Sequence, residues 1–262
     1  MREAVAKILR PIRASLQTLV EPLDWSARIL NNKHNYPPLR LRQRVGSLND
    51  FESSGGEYVA YLKLLCNLKY GDRLLDVGCG CGLMGLQINE NPSLAEYTRY
   101  YGLDIDQEAI RWCKKHILQA YFKEVTNNCH LPLANNSIDA VLCKSLFTHL
   151  LVHETREVLE ELNRIMAPGA KCLSTWFLLR LNTPHKGRYV FPFSQGPIAV
   201  ERPSKPTLAV AYQEGWILGL LDQLGFTHEV YPGSWRGDVR GLSFQDIIVF
   251  TKETSSATKK NS

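Results

Sequence analysis

The 262-residue chain is 44% hydrophobic and 22% charged, the composition of a globular protein long enough to bury one large core. No apolar run approaches the ~18 residues a membrane helix needs, and no secretory leader opens the chain, so the expected location is cytoplasmic. Of the net charge of +5, a net +6 lies in residues 1–45, where nine Lys/Arg face only Glu3, Glu21 and Asp24, and the rest is close to neutral.

In chain order, Val5, Ile8, Leu9, Ile12, Leu16, Leu19 and Val20 recur at helical spacing, interrupted by Pro11. They predict an N-terminal helical cap within residues 1–50. Its basic character suits a solvated helix face, or weak contact with an anionic membrane surface or acidic acceptor. Residues 31–50 read as a polar linker, and Glu57–Leu68 as a helix that follows a flexible Ser53-Ser54-Gly55-Gly56. Apolar strands are predicted at Asp72–Val77, Tyr100–Asp104, Phe122–Thr126, Ile138–Cys143 and Lys171–Leu178. Helices fall between them at Gly82–Asn89, Glu108–Tyr121 and Glu154–Met166, the last ended by Pro168-Gly169. This alternation predicts a doubly wound α/β domain over residues 51–252.

Residues 179–212 break the rhythm with Pro184, Pro192, Pro197, Pro203 and Pro206 and no clear element, and form a lid-like insertion after strand five. A helix at Gly215–Leu224 and strands at Thr227–Tyr231 and Asp246–Thr251 follow, and the Ser/Thr/Lys-rich tail 253–262 has the composition of a disordered segment.

The chemistry concentrates at the first strand. Asp76 leads into Gly78, Gly80 and Gly82, glycines being required where backbone turns tightly against a ligand. The following helix offers its N-terminal N–H groups, and Asp104 ends the next strand where a carboxylate accepts from two ribose hydroxyls. Gly80-x-Gly82-x-x-Gly85 also fits a dinucleotide fingerprint, the alternative being an NAD-type oxidoreductase. That register places Gly78 and Cys79 where the strand should still be apolar. Seven cysteines at irregular spacing point to reduced thiols. Cys79-x-Cys81 has no second pair at ligand spacing, so no metal site is expected.

Four blocks in order, LLDVGCGCG (74–82), YGLDIDQEAI (101–110), LPLANNSIDAVLCKSLFTHL (131–150) and ELNRIMAPGAKCLST (161–175), resemble the class I S-adenosylmethionine-dependent methyltransferases of small-molecule type. The resemblance implies a Rossmann-like, seven-stranded, mostly parallel sheet with an antiparallel last strand. It also implies S-adenosyl-L-methionine as cofactor. The backbone at Asp76, Gly78, Cys79, Gly80 and Gly82 would lie against the amino-acid end of the cofactor. Asp104 would bind the ribose, Ile105 would pack on the adenine, and Asn127 with Asn128 would stand where relatives place an acidic adenine contact. Lys144 joins the cofactor-binding residues, an anionic acceptor being the other group it could hold.

The segment after the fourth strand lacks the Asn/Asp-Pro-Pro-aromatic signature of enzymes that methylate planar amines, so no nucleic-acid partner is expected. An imidazole suits proton removal near neutral pH, which makes His149 the candidate catalytic base for methylation of a small-molecule or glycan-type hydroxyl. His185, Arg188, Tyr189, Phe191 and Phe193 in the lid, and Trp235 in YPGSWRGDVRGLSFQD, are candidate acceptor contacts. The alternative is a cofactor-binding protein without turnover.

Overall fold

The computed structural model describes residues 20–45, 51–91, 98–126, 130–180, 187, 189–237 and 239–254. Residues 1–19 and 255–262, which hold most of the expected basic helix and the tail, lie outside them. The strands in chain order are β1 (Arg73–Val77), β2 (Arg99–Asp104), β3 (Ala120–Glu124), β4 (Ile138–Cys143), β5 (Met166–Trp176), β6 (Leu178–Leu179), β7 (Phe193–Gln195), β8 (Ile198–Val200), β9 (Val210–Gln213), β10 (Phe226–Tyr231) and β11 (Asp246–Lys252). The helices are α1 (residues 20–30), α2 (Leu39–Arg42), α3 (Phe51–Leu65), α4 (Leu83–Glu90), α5 (Gln107–His116), α6 (Val152–Ile165) and α7 (Glu214–Gln223).

Seven strands form the main sheet in the order β10-β11-β5-β4-β1-β2-β3. β1 pairs in parallel with both β2 and β4, with Asp76 opposite Gly102 on one side and Leu142 on the other. β11 is antiparallel to β5 and β10. Central strands covered on both faces need continuous apolar runs, and four of the five β1 residues and five of the six β4 residues are buried. The chain leaves β1 toward β2 and β3 but leaves β4 toward β5. The carboxyl ends of β1 and β4 therefore flank the crevice where ligands bind in such sheets.

Three local expectations change. The insertion 179–212 is not without structure: β6, β9, β8 and β7 pair in that order as a second, four-stranded sheet. Strands of two to four residues between prolines are too short to show periodicity. Ser53–Gly56 lies inside α3 rather than before it, where Gly55 lets α3 and α4 approach closely, a Cβ there meeting the Gln87 side chain. Pro168-Gly169 lies near the start of β5, after α6 has ended at Ile165, beside the register shift between Ile138 and Ala140 on β4. Among the described residues no helix is long and apolar enough to cross a membrane, and six cysteines are free and buried.

One buried carboxylate joins the two sheets. Asp246 accepts from the Leu178 N–H at 2.9 Å, the Gly233 N–H at 2.9 Å and the Trp235 indole at 2.5 Å. Arg180 lies 3.4 Å from it and also holds Glu214 at 2.7 Å. Asp246→Ala leaves these donors and the arginine without their acceptor in a dry interior. It should destabilise the fold by about 3–5 kcal/mol in urea unfolding, whereas Glu214→Ala, with both side chains of its pair only partly buried, should cost far less.

Candidate active site

The turn after β1 is left-handed at three positions, φ being 79° at Gly78, 53° at Gly80 and 79° at Gly82, a region that only glycine enters without strain. Gly78 and Cys79 both donate their N–H groups to the Leu103 carbonyl, at 2.8 and 3.0 Å. The glycines differ in what surrounds them. A Cβ on Gly82 would lie 2.7 Å from Ile117 Cδ1, and one on Gly80 would run into Val45 Cγ1. A Cβ on Gly78 would make only ordinary contact, 3.4 Å from Leu146 Cδ1, and Gly78 is exposed, so it is the open part of the turn. The side chains of Cys79 and Cys81 are buried and serve as small apolar filler; burial pushes both thiols up, Cys81 to about 12.

Asp104, at the end of β2, is fixed from both sides. Its Oδ2 accepts from the Gly80 N–H at 2.7 Å and its Oδ1 from the Asp106 N–H at 2.8 Å. Each oxygen keeps a further lone pair, the acceptor arrangement a vicinal diol requires. Ile105 next to it is 62% exposed, an apolar surface suited to a flat ring. Asp106 then caps α5, accepting from the N–H groups of Glu108 and Ala109. Asn127 and Asn128 lie outside the described residues. The open Gly78 backbone, the anchored Asp104 carboxylate and the uncovered Ile105 fit S-adenosylmethionine.

The N-terminal segment closes over this turn. Leu41 is buried, Val45 packs on Gly80, and Arg44 binds Asp106 at 2.6 Å and Glu108 at 2.7 Å. Arg40 reaches the same Glu108 at 2.8 Å.

On the other wall, β4 runs into Lys144-Ser145. Ser145 is left-handed (φ 55°), and its N–H donates to Thr175 Oγ1 at 2.7 Å. Gln245 Oε1 accepts from Ser145 Oγ at 3.0 Å and Thr175 Oγ1 at 2.6 Å. Lys144 is half-buried, and its Nζ lies 5.3 Å from the centre of the Tyr58 ring on α3. Burial lowers the lysine's affinity for its proton, with Asp76 and Glu57 opposing that shift. His149 is exposed on a short 3-10 turn (Phe147–His149), and its Nδ1 is 2.9 Å from the Thr207 carbonyl in the lid.

In the lid, Tyr189 stacks on Phe177 at 5.0 Å, Phe191 lies 5.7 Å from Trp235, and Phe244 is 5.8 Å from Tyr189. Trp235 is 1% exposed and held by Asp246, Phe193 is on the exposed β7, and His185 and Arg188 lie outside the described residues. Tyr58, Tyr100, Val45, Thr175, Thr207 and Gln245 were not foreseen, because each joins the site across a long sequence separation. Local signals existed for three: Tyr100 opens a predicted strand, Thr175 closes the block 161–175, and Gln245 stands ahead of Asp246 in the late segment.

Asp76 is wholly buried and accepts from the Tyr100 hydroxyl at 2.6 Å. Burial pushes its pKa from 3.8 up to about 7, with Asp104 adding to the rise and Tyr100 and Lys144 opposing it. The folded chain therefore keeps this proton between about pH 4 and pH 7, where the unfolded chain has released it. Its contribution to stability is greatest below the unfolded value and is lost as pH rises through about 7. Asp76→Asn retains an acceptor for Tyr100 and removes the titration. Urea unfolding should show the variant gaining on the wild type between pH 5 and pH 8, and parallel pH profiles would contradict the assignment.

A family model described as a methyltransferase domain matches residues 75–174, which run from β1 to β5 and include Asp76, the glycine turn, Asp104, Lys144 and His149. The chain is similar to squalene methyltransferase 1 of Botryococcus braunii, 30% identical over 129 residues that are 47% of this chain and 32% of that protein. It also resembles an rRNA N(6)-adenosine-methyltransferase of Caenorhabditis elegans, 34% identical over 65 residues that are 25% of this chain and 28% of the other. The matches thus span about a third of each curated relative's length. A solved SAM-dependent methyltransferase from Aquifex aeolicus shares the fold, with TM-score 0.53 and 18% identity over 80% of this chain and 95% of that one. Residues 75–174 thus match a methyltransferase domain and share the class I, Rossmann-like fold of solved S-adenosylmethionine-dependent methyltransferases.

Proposed function

We propose that the chain transfers a methyl group from S-adenosylmethionine to a hydroxyl oxygen of a small-molecule or glycan-type acceptor bound beneath the lid. The cofactor supplies an electrophilic methyl group on a sulfonium. The protein's part is alignment, which contributes ~7–11 kcal/mol in well-oriented reactions, and removal of the acceptor's proton. The turn at Gly78 and the Asp104 carboxylate hold the donor in place. The lid meets the turn after β4 at His149–Thr207, and its aromatic cluster packs Phe177 with Trp235; a lid at this end of the sheet favours a compact acceptor over a polymer laid across an open groove.

The observation that carries the oxygen chemistry is the contact between His149 and Thr207. A backbone carbonyl only accepts, so Nδ1 carries the proton in that hydrogen bond and the neutral ring has its lone pair on Nε2. The imidazole is thereby oriented by the lid in the tautomer that can take a proton. The match to the squalene enzyme agrees with a small-molecule acceptor, and the match to the rRNA enzyme makes RNA the acceptor class to test against.

The chain should be incubated with methyl-labelled S-adenosylmethionine and fractionated cell extract. Label is expected in a low-mass fraction and, as an ether, stable to mild base. Label confined to RNA or protein would overturn the acceptor class, and cofactor binding without any labelled product would identify a binding protein without turnover. With an acceptor in hand, His149→Ala should lower kcat by ~10²-fold or more while leaving cofactor affinity unchanged; an unaltered kcat would remove His149 from the chemistry.

A further inference from the structure

Lys144 presents a cation that its surroundings do not balance. Its Nζ faces the Tyr58 ring at 5.3 Å, and no carboxylate of the described residues lies within ion-pair distance of it. The charged and titratable groups near it are Asp76 on β1 and Glu57 on α3, both acting through space rather than by contact. An aromatic face offsets only a small part of the cost of removing an ammonium from water. The free-standing charge is thus matched to an anion that arrives with a ligand.

Position identifies which anion. Lys144 follows the last residue of β4, at the switch point of the sheet, and the turn it opens brings Leu146 against the free backbone of Gly78. Asp76 stands at the neighbouring end of β1 with the opposite charge when ionised. Asp76 is level with Leu142 on β4, two residues before Lys144, so the two groups, once Asp76 is ionised, together complement a ligand end that carries both an α-ammonium and an α-carboxylate. Resting on the cofactor reading above, we propose that Lys144 is the positioning residue that receives the α-carboxylate of S-adenosylmethionine, steadied over the Tyr58 ring.

The test compares S-adenosylmethionine with its decarboxylated analogue, which lacks only that carboxylate, by titration calorimetry. The wild type should prefer the intact cofactor by ~10- to 100-fold, the range of a charge-assisted hydrogen bond. Lys144→Met should lose that preference, binding the intact cofactor ~10- to 100-fold more weakly and the analogue nearly as before. Lys144→Arg should restore most of the discrimination. Equal binding of the two ligands by the wild type overturns the assignment and needs no variant to fold. Undiminished binding of the intact cofactor by Lys144→Met overturns it as well, with the cofactor reading left standing. A wild type that binds neither ligand overturns the cofactor reading itself.

Discussion

The site depends on how the turn after β1 is tied to the end of β2. Two successive N–H groups, those of Gly78 and Cys79, converge on the Leu103 carbonyl, and a third, that of Gly80, bonds the carboxylate of Asp104. This convergence requires left-handed backbone at alternate positions, which an L side chain opposes by about 1–2 kcal/mol per residue. The same hydrogen bonds that shape the turn fix the Asp104 carboxylate. The glycine turn and the Asp104 side chain are consequently one unit, and neither can move without breaking bonds of the other.

The N-terminal strap is held to that unit by two kinds of contact of unequal weight. Arg40 and Arg44 form ion pairs with Glu108 and Asp106, but with arginine side chains 43% and 46% exposed such pairs contribute only about 0.2–1 kcal/mol each. Burial of Leu41, 1% exposed, contributes about 1.5–3 kcal/mol. Apolar burial therefore sets how firmly the strap lies down, and the arginines set its register along α5. The basic excess of residues 1–45 is in part balanced by acids outside that segment, Asp106 and Glu108.

Most of the sheet was legible in the sequence because β1, β2 and β4 are short apolar runs bounded by punctuation, and Ile138–Cys143 was placed to the residue. The lid sheet was not, since β6 has two residues and β7 and β8 three each. Their pairing is a tertiary event: β9 is held by the Tyr212 hydroxyl, which meets Thr155 at 2.7 Å and the Leu150 carbonyl at 2.8 Å. The site divides in the same way. Asp76, the glycines and Asp104 lie within motifs, whereas Gln245 reaches Ser145 from 100 residues away and Tyr58 comes from a helix outside every motif.

The distribution of charge at the switch point gives the site a further property. Burial works against the ionised form of both Asp76 and Lys144, raising the affinity of the first for its proton and lowering that of the second. Each group partly offsets the other's penalty, yet they are not in ion-pair contact, so neither is fully compensated within the protein. Above about pH 7, where Asp76 is ionised, the zwitterionic ligand end proposed above would supply both counter-charges together, which a purely cationic or purely anionic ligand cannot do. Specificity in this reading arises from two individually unfavourable burials whose cost is relieved only by a ligand carrying both signs, in a crevice that the parallel strands and the glycine turn have already fixed in shape.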